Sequence, residues 1–210
     1  MTSLPDLESW FSTDRVAPYR DTCNGDGDQA AALYAWNAEL SAAMWHTLGH
    51  VEVLVRNALH RELSTWSRHR YGTDRWYLKI ARLISDNTRL DINTARRRAT
   101  RNGRAETAGR VVAELNLGFW RYVLARRYDG TLWRYCMFRA FPGKRRADVE
   151  RAVANLHVLR NRIGHHEPIH NRPIGELLTL ALRVASWTNL AAGDWIAAGD
   201  TARELLAKRP

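Results

Sequence analysis

Apolar residues recur along almost the whole chain at helical spacing, and no period-two alternation is long enough to demand a strand. Leu33, Trp36 and Leu40 lead into Trp45, Leu48, Val51, Leu54, Val55, Ala58, Leu59 and Leu63. That pattern predicts one long helix capped by Asp28, or two helices with a break near Gly49, stopping at Tyr71-Gly72. A further helix is expected over 74–83, and Ser85-Asp86 caps a basic helix running to Asn102-Gly103. The stretch from Glu106 to Arg127 reads as helical with a break at Gly118, and Phe141-Pro142-Gly143 reads as a turn. Ala147 to Ile163 is the best-formed amphipathic segment, with Val149, Val153, Leu156, Leu159 and Ile163 on its apolar face. Pro173 opens a helix over 174–190, and Asp194 caps a last one to about Ala207. With no internal repeat, low-complexity tract or linker, the pattern predicts one all-α domain over 28–210, preceded by an acidic, partly irregular segment over 1–27.

A chain of 210 residues with 45% hydrophobic content and nine Trp has enough apolar mass for a real core. At this size roughly 70% of the unfolded chain's surface can be buried. No apolar run approaches the roughly 18 residues of a membrane span, so no membrane association is expected. The start, Met1-Thr2-Ser3-Leu4-Pro5-Asp6, lacks the basic and apolar regions of a signal peptide. Cys23 and Cys136 stand far apart and form no CxxC pattern, which suits free thiols in a reducing cytosol. The expected location is therefore cytoplasmic.

Charge changes the picture more. The net charge is +10, carried by arginine, whose planar fork matches phosphate. Such a balance fits a nucleic-acid binder, although an arginine-rich codon bias produces the same total. Its distribution is uneven. Asp6, Glu8, Asp14, Asp21, Asp26 and Asp28 make the first 28 residues acidic, whereas Arg89, Arg96, Arg97, Arg98, Arg101 and Arg104 cluster over 89–104. Lys144, Arg145 and Arg146 form a second basic group. Arg96, Arg97, Arg98, Lys144, Arg145 and Arg146 are the candidate RNA contacts, set against the plainer alternative of a solvated helix face.

The densest chemistry lies in Leu159-Arg160-Asn161-Arg162-Ile163-Gly164-His165-His166-Glu167-Pro168. Gly164 is expected to end or loosen the helix, and Pro168 keeps it from resuming. His165 and His166 then stand at the helix exit. An arginine holds non-bridging phosphate oxygens, and a histidine moves protons near neutral pH. RNA brings its own nucleophile, the ribose 2′-hydroxyl. Cleavage then needs a base, an acid and positive charge on the transition state. Arg160 and His165 are the leading candidates, with Asn161 as an orienting group and His166 as the alternative histidine. A histidine at a helix end also serves simply as a cap. Further upstream, Glu52, Arg56 and His60 share a helical stripe at four-residue intervals, so a carboxylate there can orient Arg160 or a histidine, or form a plain surface pair with Arg56. His157, His165, His166, Glu167 and His170 supply donors for zinc at no recognisable ligand spacing. Phe119, Trp120, Tyr122, Trp133 and Tyr135 are candidates for base stacking, or for core.

The string LRNRIGHHEPIHNRP resembles the signature of the Abi-like (abortive infection) proteins, a branch of the HEPN superfamily. HVEVLVRNALHREL (50–63), YGTDRWY (71–77) and ELNLGFWRYVL (114–124) are similar to that branch as well, in the same order, so the resemblance spans about residues 30 to 190. It implies a HEPN-type helical bundle with additional helices and a metal-independent endoribonuclease that needs no cofactor. The family's arginine, polar residue and histidine fall on Arg160, Asn161 and His165, with the doubled histidine leaving His166 open. The expected products are a 2′,3′-cyclic phosphate and a 5′-hydroxyl. The resemblance further implies a homodimer and a role in anti-phage abortive infection or as the toxin of a toxin–antitoxin pair, restrained by an antitoxin protein or small RNA. Some members of the family are non-catalytic RNA-binding modules, which is the alternative function.

Overall fold

The structure, a computed structural model, describes residues 3–80 and 82–210. Among them there is no strand, and the chain is all-α as its periodicity predicts. Met1 and Thr2 at the start of the acidic segment, and Ala81 within the helix expected over 74–83, lie outside the described residues.

The acidic N-terminal segment is not irregular. It forms helices α1 (Leu4–Phe11) and α2 (Thr13–Thr22). Ser3 and Asp6 cap α1 reciprocally, each side chain bonding the other's backbone N–H. Leu4, Leu7, Val16 and Tyr19 are buried, so the segment joins the core. The acidic side chains hid these few apolar anchors from a reading based on composition.

Helix α3 (Gly27–Tyr71) is a single rod of 45 residues that passes through Gly49 without a break. Its cap is Asp26, whose side chain accepts from Gln29 N at 3.0 Å. Asp28 sits in the first turn instead, where negative charge suits the helix dipole. Gly72 ends the rod in the left-handed conformation, with φ of 69°. The helix expected over 74–83 shrinks to α4 (Trp76–Lys79), because Trp76, Tyr77 and Ile80 turn into the core together. Helix α5 (Asp86–Ala99) is capped by Ser85 as the sequence predicts.

The stretch after Glu106 divides into α6 (Ala108–Ala113) and α7 (Leu117–Val123). The break falls before Asn116, which caps α7, and Gly118 lies inside the second helix. Helix α8 (Arg146–Gly164) is followed by α9 (Ile174–Thr188), α10 (Leu190–Ala198) and α11 (Ala202–Ala207). Asn189 caps α10, and Asp194 is internal to it rather than a cap. Helix α3 packs against α2, α8 and α9, so it forms the axis of the bundle. No helix among the described residues is long and apolar enough to cross a membrane. Cys23 and Cys136 are both free and buried.

Two aromatic sets divide between core and surface. Phe119, Trp120 and Trp133 are buried, whereas Tyr122 and Tyr135 are exposed. Trp76 Nε1 donates to His60 Nδ1 at 2.9 Å, which requires an unprotonated nitrogen there. Burial pushes His60, His157 and His170 all below the ordinary histidine value of 6.5. A group with a depressed folded pKa binds protons more readily when unfolded, so its stabilisation is intact above the unfolded value and is lost as pH falls through it. The melting temperature should therefore drop between about pH 7 and about pH 5, and the drop should shrink in a His60→Gln variant. Thermal melts across that range check this, and a level melting temperature refutes it.

Candidate active site

The site is built at the C-terminal end of α8. Gly164 is the last helical residue, yet it is not the left-handed stop the sequence suggests. That role falls to His166, with φ of 57°. His166 N donates to Ile163 O at 2.9 Å and Glu167 N to Arg162 O at 2.8 Å, the paired bonds of a Schellman motif. A histidine in this conformation costs about 1 kcal/mol relative to glycine. The sequence thus spends stability to hold an imidazole at a fixed point on the helix exit.

Arg160 leans from α8 towards α3. Its Nε lies 3.5 Å from Glu52 Oε2, and its guanidinium carbon lies 5.0 Å from the centre of the Trp45 ring. A methyl group on Gly164 would sit 3.5 Å from that ring and 3.7 Å from Arg160 Nη1, in ordinary van der Waals contact with both, so Gly164, Trp45 and Arg160 meet at the helix end. Arg160 Nε is buried, while the side chain as a whole is about one-third (32%) exposed. The buried Nε faces Glu52, and the remaining third of the side chain is open to solvent.

Glu52 is itself held. Its Oε1 accepts from Leu117 N at 3.0 Å, at the first turn of α7. The same helix start is capped by Asn116, whose Oδ1 accepts from Phe119 N at 3.0 Å. One carboxylate therefore ties α3, α7 and α8 together, as the stripe through Glu52 allowed for Arg160. Arg56 does not join it. Its Nε contacts Asn57 Oδ1 at 3.4 Å, and His60 belongs to the Trp76 cluster. The expected Glu52–Arg56–His60 stripe thus splits three ways, because Arg160 approaches only its first member.

Asn161 Nδ2 lies 3.2 Å from His157 Nε2, one turn back along α8. Burial, with Arg121 and Arg160 nearby, keeps His157 neutral more readily than a free histidine. A Cβ on Gly118 would meet His157 Nε2 at 3.1 Å, tighter than most real contacts, so that glycine lets α7 close on the histidine. His157 was visible in the sequence only as a possible metal donor. His165 is the exposed C-cap, its backbone N bonded to Asn161 O at 2.9 Å, and its side chain makes no hydrogen bond among the described residues. His166 is the histidine that faces the cavity beside Trp45 and Gly164.

That cavity, of about 540 Å³, opens between α2, α3 and the α8 exit and is lined by Arg15, Tyr19, Tyr34, Asn37, Trp45 and His166 among others. Sequence reasoning missed it. Its walls come from segments more than a hundred residues apart, and Trp45, 43% exposed, reads as core from its spacing alone.

The remaining expectations fare unevenly. Arg146 is buried and bonded to Asp129, Glu150 and Leu124 O, so it is a structural residue and not a nucleic-acid contact. Arg145 pairs with Asp148 at 2.8 Å and Arg96 with Glu106 at 3.0 Å. Arg97 and Arg98 are exposed, and Lys144 lies over Trp187. The suggested zinc donors disperse. His170 bonds Thr22 and packs on Tyr19, and no three His, Cys, Asp or Glu side chains among the described residues are placed to hold one ion. Comparison with family models, with curated proteins and with solved structures finds no match for this chain.

Proposed function

We propose that this protein is a HEPN-type endoribonuclease that cleaves RNA without a metal, with its centre at the α8 exit. The observation that supports the reading is the Arg160 guanidinium at the end of α8, paired with Glu52 and lying over Trp45, the ring that also walls the cavity lined by His166. Arg160 binds the non-bridging oxygens of the scissile phosphate, and its charge grows in worth as negative charge develops there. A histidine takes the proton of the 2′-hydroxyl. The 2′-oxygen attacks phosphorus, the bond to the 5′-oxygen breaks, and a second group returns a proton to that oxygen. The products are a 2′,3′-cyclic phosphate and a 5′-hydroxyl.

His166 takes one proton-transfer role because it shares the cavity wall with Trp45 and Gly164. The exposed His165, or the same end of a second copy in a homodimer, supplies the other. Asn161 and His157 are positioning residues, locked to each other on the flank of Arg160. Glu52 acts likewise through Arg160. Arg97, Arg98 and Lys144 remain the cationic groups for the outlying phosphates. The setting that fits such an activity is growth arrest during phage infection or within a toxin–antitoxin pair, restrained by a protein or RNA antidote.

The chemistry is tested with a labelled RNA in which each nucleotide in turn carries 2′-deoxyribose. Cutting should stop only where the deoxy sugar precedes the scissile bond, with cyclic phosphate at the new ends. Cutting that ignores the 2′-hydroxyl refutes the mechanism. Tight RNA binding with no cutting of any substrate favours the non-catalytic module.

A further inference from the structure

The cavity that shares Trp45 with Arg160 is lined by the donors of Asn37, Tyr19 and Arg15, together with the Ser41 hydroxyl and the Glu167 carboxylate. Asn37 is only 6% exposed, and its Oδ1 accepts from both Ile169 N at 2.9 Å and His170 N at 3.0 Å. Two backbone donors on one oxygen fix the orientation of the amide and use both of its lone pairs. The Nδ2 group, with two hydrogens to give, has no hydrogen-bond partner among the described residues, and Asn37 lines the cavity. Tyr19 lines the same wall. Its hydroxyl makes no hydrogen bond among the described residues, and burial raises its pKa to about 12, so it stays a protonated donor. Arg15, also in the lining, has no ion pair among the described residues. The carboxylate at the cavity rim, Glu167, is already held by Arg162 Nη1 at 3.0 Å. Three unpartnered donors therefore face a space walled by Tyr34 and Trp45.

Donors that have no partner in the protein are available to a ligand's acceptors, so the complementary ligand is a flat, apolar body that carries acceptors. Trp45 is common to this wall and to the Arg160 clamp, which puts the cavity next to the phosphate position. We propose that the cavity is a base-recognition subsite that takes one unstacked nucleobase, guanine or uracil, whose purine 6- or pyrimidine 4-position bears a carbonyl where adenine and cytosine bear an amino group, adjacent to the phosphate on Arg160. Tyr34 and Trp45 contact the ring, while Asn37 Nδ2, Tyr19 Oη and Arg15 donate to its oxygen and ring-nitrogen acceptors. Adenine and cytosine turn an amino group towards those donors and are disfavoured. The proposal rests on the ribonuclease reading of the same site.

Two measurements separate the failure of one from the failure of the other. First, the bases flanking cut sites are counted on an RNA of random sequence. Guanine or uracil should be enriched on one side of the bond by at least about tenfold, since a site built to bond a carbonyl rejects its lack strongly. Tyr19→Phe should weaken that enrichment. Asn37→Asp keeps an oxygen for Ile169 and His170 but turns an acceptor to the cavity, and should shift the preference towards adenine or cytosine. Cutting with no base preference overturns the subsite and leaves the ribonuclease intact. Second, the four ribonucleoside 3′-monophosphates are titrated calorimetrically, a readout that needs no cleavage. If no RNA is cut, tighter binding of the guanine or uracil nucleotide that is lost in Tyr19→Phe sustains the subsite, and equal affinity for all four overturns it. Should Asn37→Asp fail to fold, Tyr19→Phe and Arg15→Gln carry the same test.

Discussion

Replacing Arg160 with alanine should lower RNA cleavage by about a thousandfold or more while the protein stays folded. On the proposed mechanism the loss is large because the guanidinium binds the scissile phosphate, and its work is greatest when the phosphorane oxygens are most charged. The structural cost is small. The residue is one-third exposed, and its partners are a 3.5 Å contact with Glu52 and the face of Trp45. A contact of this kind contributes about 1 kcal/mol, which shifts the melting temperature of a chain this size by roughly 3 °C. Arg160→Lys keeps the charge and loses the fork, so it should fall between wild type and alanine. Glu52→Gln keeps an oxygen for Leu117 N but gives up the charge facing Arg160, and should cost about tenfold. If Glu52 acts through Arg160, adding Glu52→Gln to Arg160→Ala should change nothing further. Cleavage rates, melting curves and this double-mutant cycle check the assignment. A folded, fully active Arg160→Ala protein sinks it.

The largest effect on stability is expected at the opposite end of α3. Trp76 is wholly buried, its ring centred 5.8 Å from Trp120 and 6.3 Å from Phe119, with its N–H on His60. Trp76→Ala empties this cluster and removes the shorter of the two hydrogen bonds at His60 Nδ1, leaving only the Ser64 hydroxyl at 3.2 Å. The expected cost is about 3–5 kcal/mol, a large part of the roughly 5–15 kcal/mol that holds a domain together. Phe119 and Trp120 lie on α7, so the change also loosens the helix whose start holds Glu52. Denaturant titration gives the cost, and a loss below about 1 kcal/mol would show that the cluster is not a core.

How far the sequence could be read depended on whether the signal was local. Helix α8 is bounded within one residue at each end, because its apolar stripe and the Phe141-Pro142-Gly143 turn before it are both local features. Ser85 as a cap and Gly72 as a stop are local too. The helix expected over 74–83 failed because three buried side chains overrode its pattern. The expected caps Asp28 and Asp194 failed because one aspartate among several looks like another in a string of letters. In the site, the same four-residue spacing that suggested Glu52 as a partner for Arg160 also suggested Arg56, and only the approach of α8 separates them. Asn37 carried no sequence signal at all, since an asparagine amid apolar residues reads as a flaw in a helix face until the chain near Ile169 returns to bond it. Arg146 misled in the other direction, a basic side chain beside Lys144 and Arg145 that the fold turns inward.

Asn37, Trp45 and Glu52 all project from the single rod α3, so cavity floor, shared wall and arginine clamp are graduations on one ruler. Inserting one residue between positions 37 and 52 would rotate one half of that ruler against the other by about 100° and slide it by about 1.5 Å. No loop lies within this span to absorb the error. Length changes there are therefore barred to this protein's descendants, whereas the turns around Gly103 and Gly143 are free to grow.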